Sequence, residues 1–180
     1  MGKFKVVLAG CGSMANEWVK YALSREDVEF AALVDIKKEF ADAMAGRYGL
    51  TCPTYTDLTA AIEETGADLV FDVTIPASHF TVCTTSLLLG CSVFSEKPMA
   101  ATMAEAREMI RVVERSGKSF SVMQNRRYDP NIRAFRDLIQ SGTIGRPGYV
   151  GADFFYRCSF WRVSRCYGQS SGAGYGYTYV

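Results

Sequence analysis

Gly10-Cys11-Gly12-Ser13-Met14-Ala15 is a glycine-rich turn of the form GxGxxA. It directly follows an apolar run at residues 4–10 and directly precedes a helical pattern at about residues 13–23. In that setting each position has a physical task. Gly10 permits the tight turn, Gly12 keeps a Cβ out of the way of an approaching diphosphate, and the small Ala15 lets helix and strand pack closely. Ser13 and Met14, at the helix start, complete a cradle of backbone N–H groups suited to an anion. Asp35 ends the second strand pattern, 23 residues beyond Gly12, where a carboxylate can accept both hydroxyls of an adenosine ribose. The pair predicts a dinucleotide site and favours NAD over NADP. Lys37 and Lys38 keep NADP open, because a cation there could hold a 2′-phosphate. The blander reading is a glycine turn in some other α/β protein; strand, helix and Asp35 together weigh against it.

Three further groups could do chemistry. Lys97, within Glu96-Lys97-Pro98, follows a fifth strand pattern, and the carboxyl ends of sheet strands are where such folds meet ligands. A solvated lysine at a turn is the plain alternative. His79 is the only histidine and lies three residues after Pro76 at the start of a helical pattern, with no carboxylate evident as a partner. A surface or capping histidine is as reasonable there as a ligand contact. Asn125, Arg126 and Arg127 end a sixth strand pattern, where a basic surface turn is the plain reading.

The elements that must position these residues alternate along the chain. After the first strand and helix come a strand at residues 28–35, a helix at 37–48, a short extended piece at 52–55 and a helix to residue 64 capped by Asp57. Residues 67–75 form a nearly unbroken apolar run ending at Pro76, as expected of a strand buried on both faces of a parallel sheet. A helix at 78–89, a strand at 92–95, a helix at 102–116, a strand at 119–124 and a helix opened by Asp129-Pro130 follow. The fold class expected is α/β, a doubly wound parallel sheet over residues 1–145. The β-like pattern at 149–156 is expected to begin a second domain spanning 146–180, and residues 170–179 resemble low-complexity sequence.

Composition excludes several classes. Apolar residues make up 48% and charged residues 22%, far from the pattern of disorder. Twenty lysines and arginines against 19 acidic residues give no field that would draw nucleic acid or an anionic membrane. The N-terminal apolar run is too short for a signal core or a membrane span, so a cytoplasmic protein is expected. Six cysteines, Cys11, Cys52, Cys83, Cys91, Cys158 and Cys166, show no CxxC spacing; reduced thiols and no metal site are expected. Cys11 is read as a small residue filling the glycine turn rather than as a reactive thiol.

Taken together, the fingerprint, Thr74-Ile75-Pro76 with His79, Glu96-Lys97-Pro98, and Gln124-Asn125-Arg126-Arg127 followed by Pro130 resemble the Gfo/Idh/MocA family of oxidoreductases over residues 3–156. The resemblance implies an NAD(P)-binding Rossmann domain and oxidation of a secondary alcohol of a sugar, inositol or related polyol. It implies that Lys97 lies beside the nicotinamide and the substrate hydroxyl, and that Pro98 fixes the lysine's backbone through a cis bond. It also implies that Thr74, Ile75, Pro76 and His79 lie along the cofactor, with Glu96, Asn125 and Arg126 as further contacts. Members of the family continue into an open-sheet domain with an Asp-x-x-x-His constellation and assemble as homo-oligomers through that sheet. That constellation is not in this sequence, although a shifted reading frame from Arg157 permits one, so truncation or a frameshift is an expectation, with impaired turnover. A non-catalytic dinucleotide-binding module or pseudogene remnant is the alternative. A methyltransferase shares the glycine loop but does not account for Glu96-Lys97-Pro98.

Overall fold

The structure is a computed structural model that describes residues 2–151. The strands are β1 (Phe4–Ala9), β2 (Val28–Val34), β3 (Thr54–Tyr55), β4 (Leu69–Asp72), β5 (Ser92–Glu96) and β6 (Phe120–Met123). The helices are α1 (Ala15–Leu23), α2 (Lys38–Tyr48), α3 (Leu58–Thr65), α4 (Pro76–Leu88), α5 (Met103–Ser116) and α6 (Pro130–Gln140). The strands form one sheet in the order β3-β2-β1-β4-β5-β6, and every neighbouring pair is parallel. The chain winds outward from β1 on one side and then returns to begin again at β4. The crevice between the carboxyl ends of β1 and β4 is therefore the point where the winding reverses, the place where open α/β sheets take ligands. The chain divides into two compact units, Met1–Arg133 and Ala134–Val180; of the second, residues 134–151 are described.

Hydrophobic alternation builds the sheet into two layers of core. On β1, Val7 and Ala9 face a cluster shared with α3, α4 and α5 through Ile62, Leu87 and Met109. Val6 and Leu8 face the opposite cluster, shared with α1 and α2 through Ala15, Val19 and Met44. All four residues of β4 are buried, as a central parallel strand requires. Each large side chain removed from water here is worth on the order of 1.5–3 kcal/mol relative to leaving it exposed. α5 starts with a capping box, Thr102 accepting from the Glu105 N–H while the Glu105 carboxylate accepts from the Thr102 N–H. Asp57 caps α3, as its position predicts, by accepting from the Ala60 N–H at 2.8 Å.

The doubly wound parallel sheet expected from the sequence is what the chain forms, with local differences that have physical causes. The apolar run at residues 67–75 yields only four residues of strand, because Thr74 turns back: its N–H and hydroxyl both donate to Asp72 Oδ1, at 3.1 and 2.6 Å. α4 then begins at Pro76 rather than at residue 78, with the proline at the first helical position, where a missing N–H costs nothing. α1 begins at Ala15 rather than residue 13, leaving Gly12 to Met14 as a turn. Asn125 to Arg127 do not end a strand; β6 stops at Met123, and Asn125–Tyr128 is a short 3-10 helix. Asp129 accepts from the N–H groups of Asn131 and Ile132, the cap expected for α6. Residues 149–151 form no strand, and the rest of the expected strand at 149–156, together with the low-complexity stretch at 170–179, lies outside the described residues. Among the described residues, no helix is long and apolar enough to cross a membrane.

One buried polar group ties the central strands together. Asp72, at the end of β4, is fully buried and its carboxylate accepts from five donors. Besides the two from Thr74, Oδ2 takes His79 Nδ1 at 2.7 Å, Ser95 Oγ at 2.8 Å and Cys83 Sγ at 3.1 Å. Burial by itself would raise its pKa, but the hydrogen bonds from His79 and Thr74, then the charge and thiol contacts, outweigh that and hold it below the usual carboxylate value. A depressed folded pKa means that Asp72 contributes stability fully present above the ordinary carboxylate value of about 3.9 and lost as pH falls through the folded value. We predict that Asp72→Asn costs about 3 kcal/mol in urea unfolding at pH 7. The variant also loses part of the acid sensitivity below about pH 4. A cost under about 1 kcal/mol would show the network to be dispensable.

Candidate functional site

β1 delivers Gly10 to the winding-reversal crevice. Its φ is +90°, and a Cβ built there would sit 2.6 Å from the Val73 carbonyl oxygen and 2.8 Å from the Thr74 nitrogen. Only glycine fits, on both conformational and steric grounds. The next residue, Cys11, donates its N–H to Asp35 Oδ2 at 2.9 Å. Its thiol is turned inward toward the Val34 carbonyl, and burial, then the nearby Asp35 and Cys52, push its pKa up to about 12. The thiol is buried and fills the turn.

Gly12 behaves differently. It has no positive φ, and a Cβ there would meet nothing within 4 Å. The protein's own packing therefore does not demand glycine, and the space beside it is open to an incoming group. Ser13 and Met14 are exposed beside it, and no side chain caps α1. Helix-start amides with no side-chain acceptor, a positive helix end and an open approach make a site for an anion. A groove of about 340 Å³ runs along it, lined by Cys11, Gly12, Ser13, Asn16, Phe40 and Arg47. Asn16 fixes one wall, donating to the Ser13 carbonyl and accepting from Arg47 Nη1 at 2.7 Å and the Tyr48 hydroxyl at 2.9 Å. These residues fit the diphosphate of a dinucleotide.

Asp35 follows β2 at the same rim, because the parallel register sets Ala9 beside both Val34 and Asp72. One carboxylate oxygen accepts the Cys11 N–H and the other the Lys37 N–H, each at 2.9 Å. Each oxygen keeps a lone pair for a ribose hydroxyl. Asp35 thus also pins the glycine turn, a task the sequence did not reveal. The two neighbouring lysines are engaged elsewhere. Lys37 places its ammonium 5.4 Å above the Phe40 ring, and Lys38 bonds Asp42 and Thr54. That arrangement favours the unphosphorylated ribose of NAD.

On the other side of the crevice, Thr74 is half-buried, whereas Ile75, the N-cap of α4, is 67% exposed and Pro76 lies beside it in solvent. His79 differs from expectation. It is not at the surface: its side chain is 1% exposed and paired with Asp72, and its Nε2 is buried without a partner among the described residues. The missing partner carboxylate is Asp72, seven residues earlier on the strand. Its Nδ1 also lies 3.5 Å from the Thr74 hydroxyl, so His79 touches the loop at Thr74 as well as Asp72.

β5 ends at Glu96, and Lys97 follows with an exposed side chain and the cis Lys97–Pro98 bond that the resemblance implies. Glu96 is half-buried: its Oε1 accepts from Trp18 Nε1 at 2.8 Å and its Oε2 from the Lys97 N–H at 3.3 Å. Asn125 and Arg126 are exposed on the 3-10 helix that follows β6. Gly10, Asp35, Thr74, Lys97 and Asn125 thus follow the carboxyl ends of parallel strands, and Glu96 closes one. Sequence reasoning missed Asp72, Ser95, Arg47 and Trp18. Of these only Asp72, an acidic residue closing an apolar run, left a signal.

The two glycines should separate under mutation. We predict that Gly10→Ala costs about 3 kcal/mol of stability in urea unfolding, through clash and strain. Gly12→Ala should change stability by less than about 0.5 kcal/mol while weakening NAD binding in calorimetric titration by about tenfold or more. A stable Gly10→Ala chain, or a Gly12→Ala chain with unchanged affinity, would contradict these assignments.

Comparison with known proteins agrees with this geometry. Residues 4–124 match the Gfo/Idh/MocA oxidoreductase family, described as having an NAD-binding Rossmann fold. The chain is 30% identical over 158 residues to a D-apiose dehydrogenase of Paraburkholderia graminis, covering 88% of this chain and 40% of that protein. It is also 30% identical over 150 residues to an inositol 2-dehydrogenase/D-chiro-inositol 3-dehydrogenase of Lacticaseibacillus casei, covering 82% and 43%. Among solved structures, the WlbA dehydrogenase of Chromobacterium violaceum, in complex with NADH and UDP-GlcNAcA, superposes with a TM-score of 0.76 at 25% identity. That match covers 81% of this chain and 42% of the other. The chain thus spans about two fifths of the length of the relatives it matches. With its glycine turn, Asp35 and rim lysine at the ends of one sheet's strands, the chain belongs to the Gfo/Idh/MocA family of oxidoreductases and carries that family's NAD-binding Rossmann fold.

Proposed function

We propose that this chain supplies the cofactor half of an NAD-dependent dehydrogenase that oxidises a secondary alcohol of a sugar, inositol or related polyol. The observation that carries the reading is the placement of Lys97 at the end of β5, on the rim that also bears the glycine turn and Asp35. The similar proteins named for D-apiose and inositol oxidation support the substrate class.

In this reading the diphosphate lies on the α1 amides at Gly12, Ser13 and Met14, and Asp35 accepts the ribose hydroxyls. Thr74, Ile75 and Pro76 form the wall across the crevice, and Glu96, Asn125 and Arg126 border the nicotinamide end. Bound NAD supplies the hydride acceptor. Lys97 Nζ would hold the substrate hydroxyl oxygen by hydrogen bond while the hydroxyl proton passes to water at the open rim. Lys97 is exposed on this chain, so the described residues alone give substrate no dry enclosure, and orientation and water exclusion are correspondingly weak. That exposure favours a second reading, in which the chain by itself is a non-catalytic dinucleotide-binding module.

One pair of measurements separates the readings. Calorimetric titration with NAD is expected to show one site per chain, and NADH production over a panel of sugars and polyols is expected to be absent or marginal. Robust turnover by the 180-residue chain would overturn the module reading. Absence of NAD binding would overturn both.

A further inference from the structure

Lys97 is held by its backbone rather than by its side chain. Its N–H donates to Glu96 Oε2, and the other oxygen of that carboxylate is held by the indole N–H of Trp18, 78 residues away on α1. Trp18 is fixed in turn. Its ring packs 5.1 Å from Phe71 at an interplanar angle of 58°, and Phe71 stacks on Phe94 at 6.1 Å and 10°. Phe94 is on β5, two residues before Glu96. The contacts close a ring: α1 to Glu96 by hydrogen bond, along β5 to Phe94, across the sheet to Phe71, and back to Trp18.

Met14, the N-cap of α1, lies one helical turn before Trp18. The short helix whose first amides face the diphosphate groove therefore also grips the carboxylate from which Lys97 departs. An indole can only donate, and a carboxylate can only accept, so this half-buried bond has a defined sense and is charge-assisted. Packing alone does not require it: phenylalanine would fill the aromatic contact with Phe71 nearly as well.

We infer that Trp18 is a positioning residue for the nicotinamide end of the cofactor, setting the distance between the diphosphate cradle and the Glu96–Lys97 turn. The inference rests on the dinucleotide reading of the glycine loop. It makes the two ends of one ligand answer to one helix: the adenosine and diphosphate half to its amides, the nicotinamide half to its tryptophan.

The test compares NADH with ADP-ribose, which lacks the nicotinamide ring, by calorimetric titration of the full chain. The unaltered chain is expected to bind NADH more tightly than ADP-ribose. Trp18→Phe should lower NADH affinity about tenfold and change ADP-ribose affinity less than about twofold. Glu96→Ala should lose at least as much for NADH, and adding Trp18→Phe to it should cost nothing further, because the indole has already lost its acceptor. If Trp18→Phe does not fold by circular dichroism, Trp18→Leu, which also lacks the indole N–H, makes the same comparison of the two ligands. Equal losses for both ligands, additive losses in the double variant, or no NADH preference in the unaltered chain would each overturn the inference. An unaltered chain that binds neither ligand would overturn the dinucleotide reading and the inference with it.

Discussion

A carboxylate taken out of water must find its donors inside the protein, and where they come from decides which parts of the chain move together. Asp72 draws its donors from the loop after β4, from two turns of α4 and from β5. The loop that carries Thr74 to Pro76 and the strand that carries Glu96 and Lys97 therefore share one buried anion. Leaving such an anion short of donors costs several kcal/mol, so the two segments are held at fixed spacing. The loop at Thr74 to Pro76 and the rim lysine inherit their geometry from that constraint.

A second constraint acts across the crevice. Gly10 approaches the Val73–Thr74 backbone so closely that no side chain fits between them. The glycine turn is thereby set against the same loop that Asp72 organises, and Asp35 fixes its other side through the Cys11 amide. The site is built from backbone contacts between neighbouring strand ends, with few side chains of its own. That economy leaves Gly12 and the start of α1 open to a ligand while every surrounding segment is pinned.

Much of this was legible in the residues. The glycine turn, Asp35 and the strand-helix alternation were readable because each depends on local chemistry: small residues where backbone must approach, a carboxylate at a strand end, apolar runs of the right period. Long-range pairings were not. Nothing near Trp18 announces Glu96, which meets it only when α1 packs on the sheet, and nothing near His79 marked Asp72 as its partner until β4 was known to end there and α4 to turn back beside it. The apolar run at 67–75 misled about strand length for the same reason. Hydrophobicity reports burial, and residues 73–75 continue the apolar pattern while Thr74 bends the chain toward Asp72.

The double duty of Asp35 bears on how readily cofactor preference can drift in such a fold. Replacing its carboxylate with a small neutral side chain to admit a phosphorylated ribose would also strand the Cys11 and Lys37 amides that it satisfies. A chain exploring that change gains room for the new ligand while loosening the turn meant to grip it. Compensation is then needed at a second position before any advantage is felt. The side chain at this position and the rigidity of the loop are in this way coupled, so a change in the one is felt in the other.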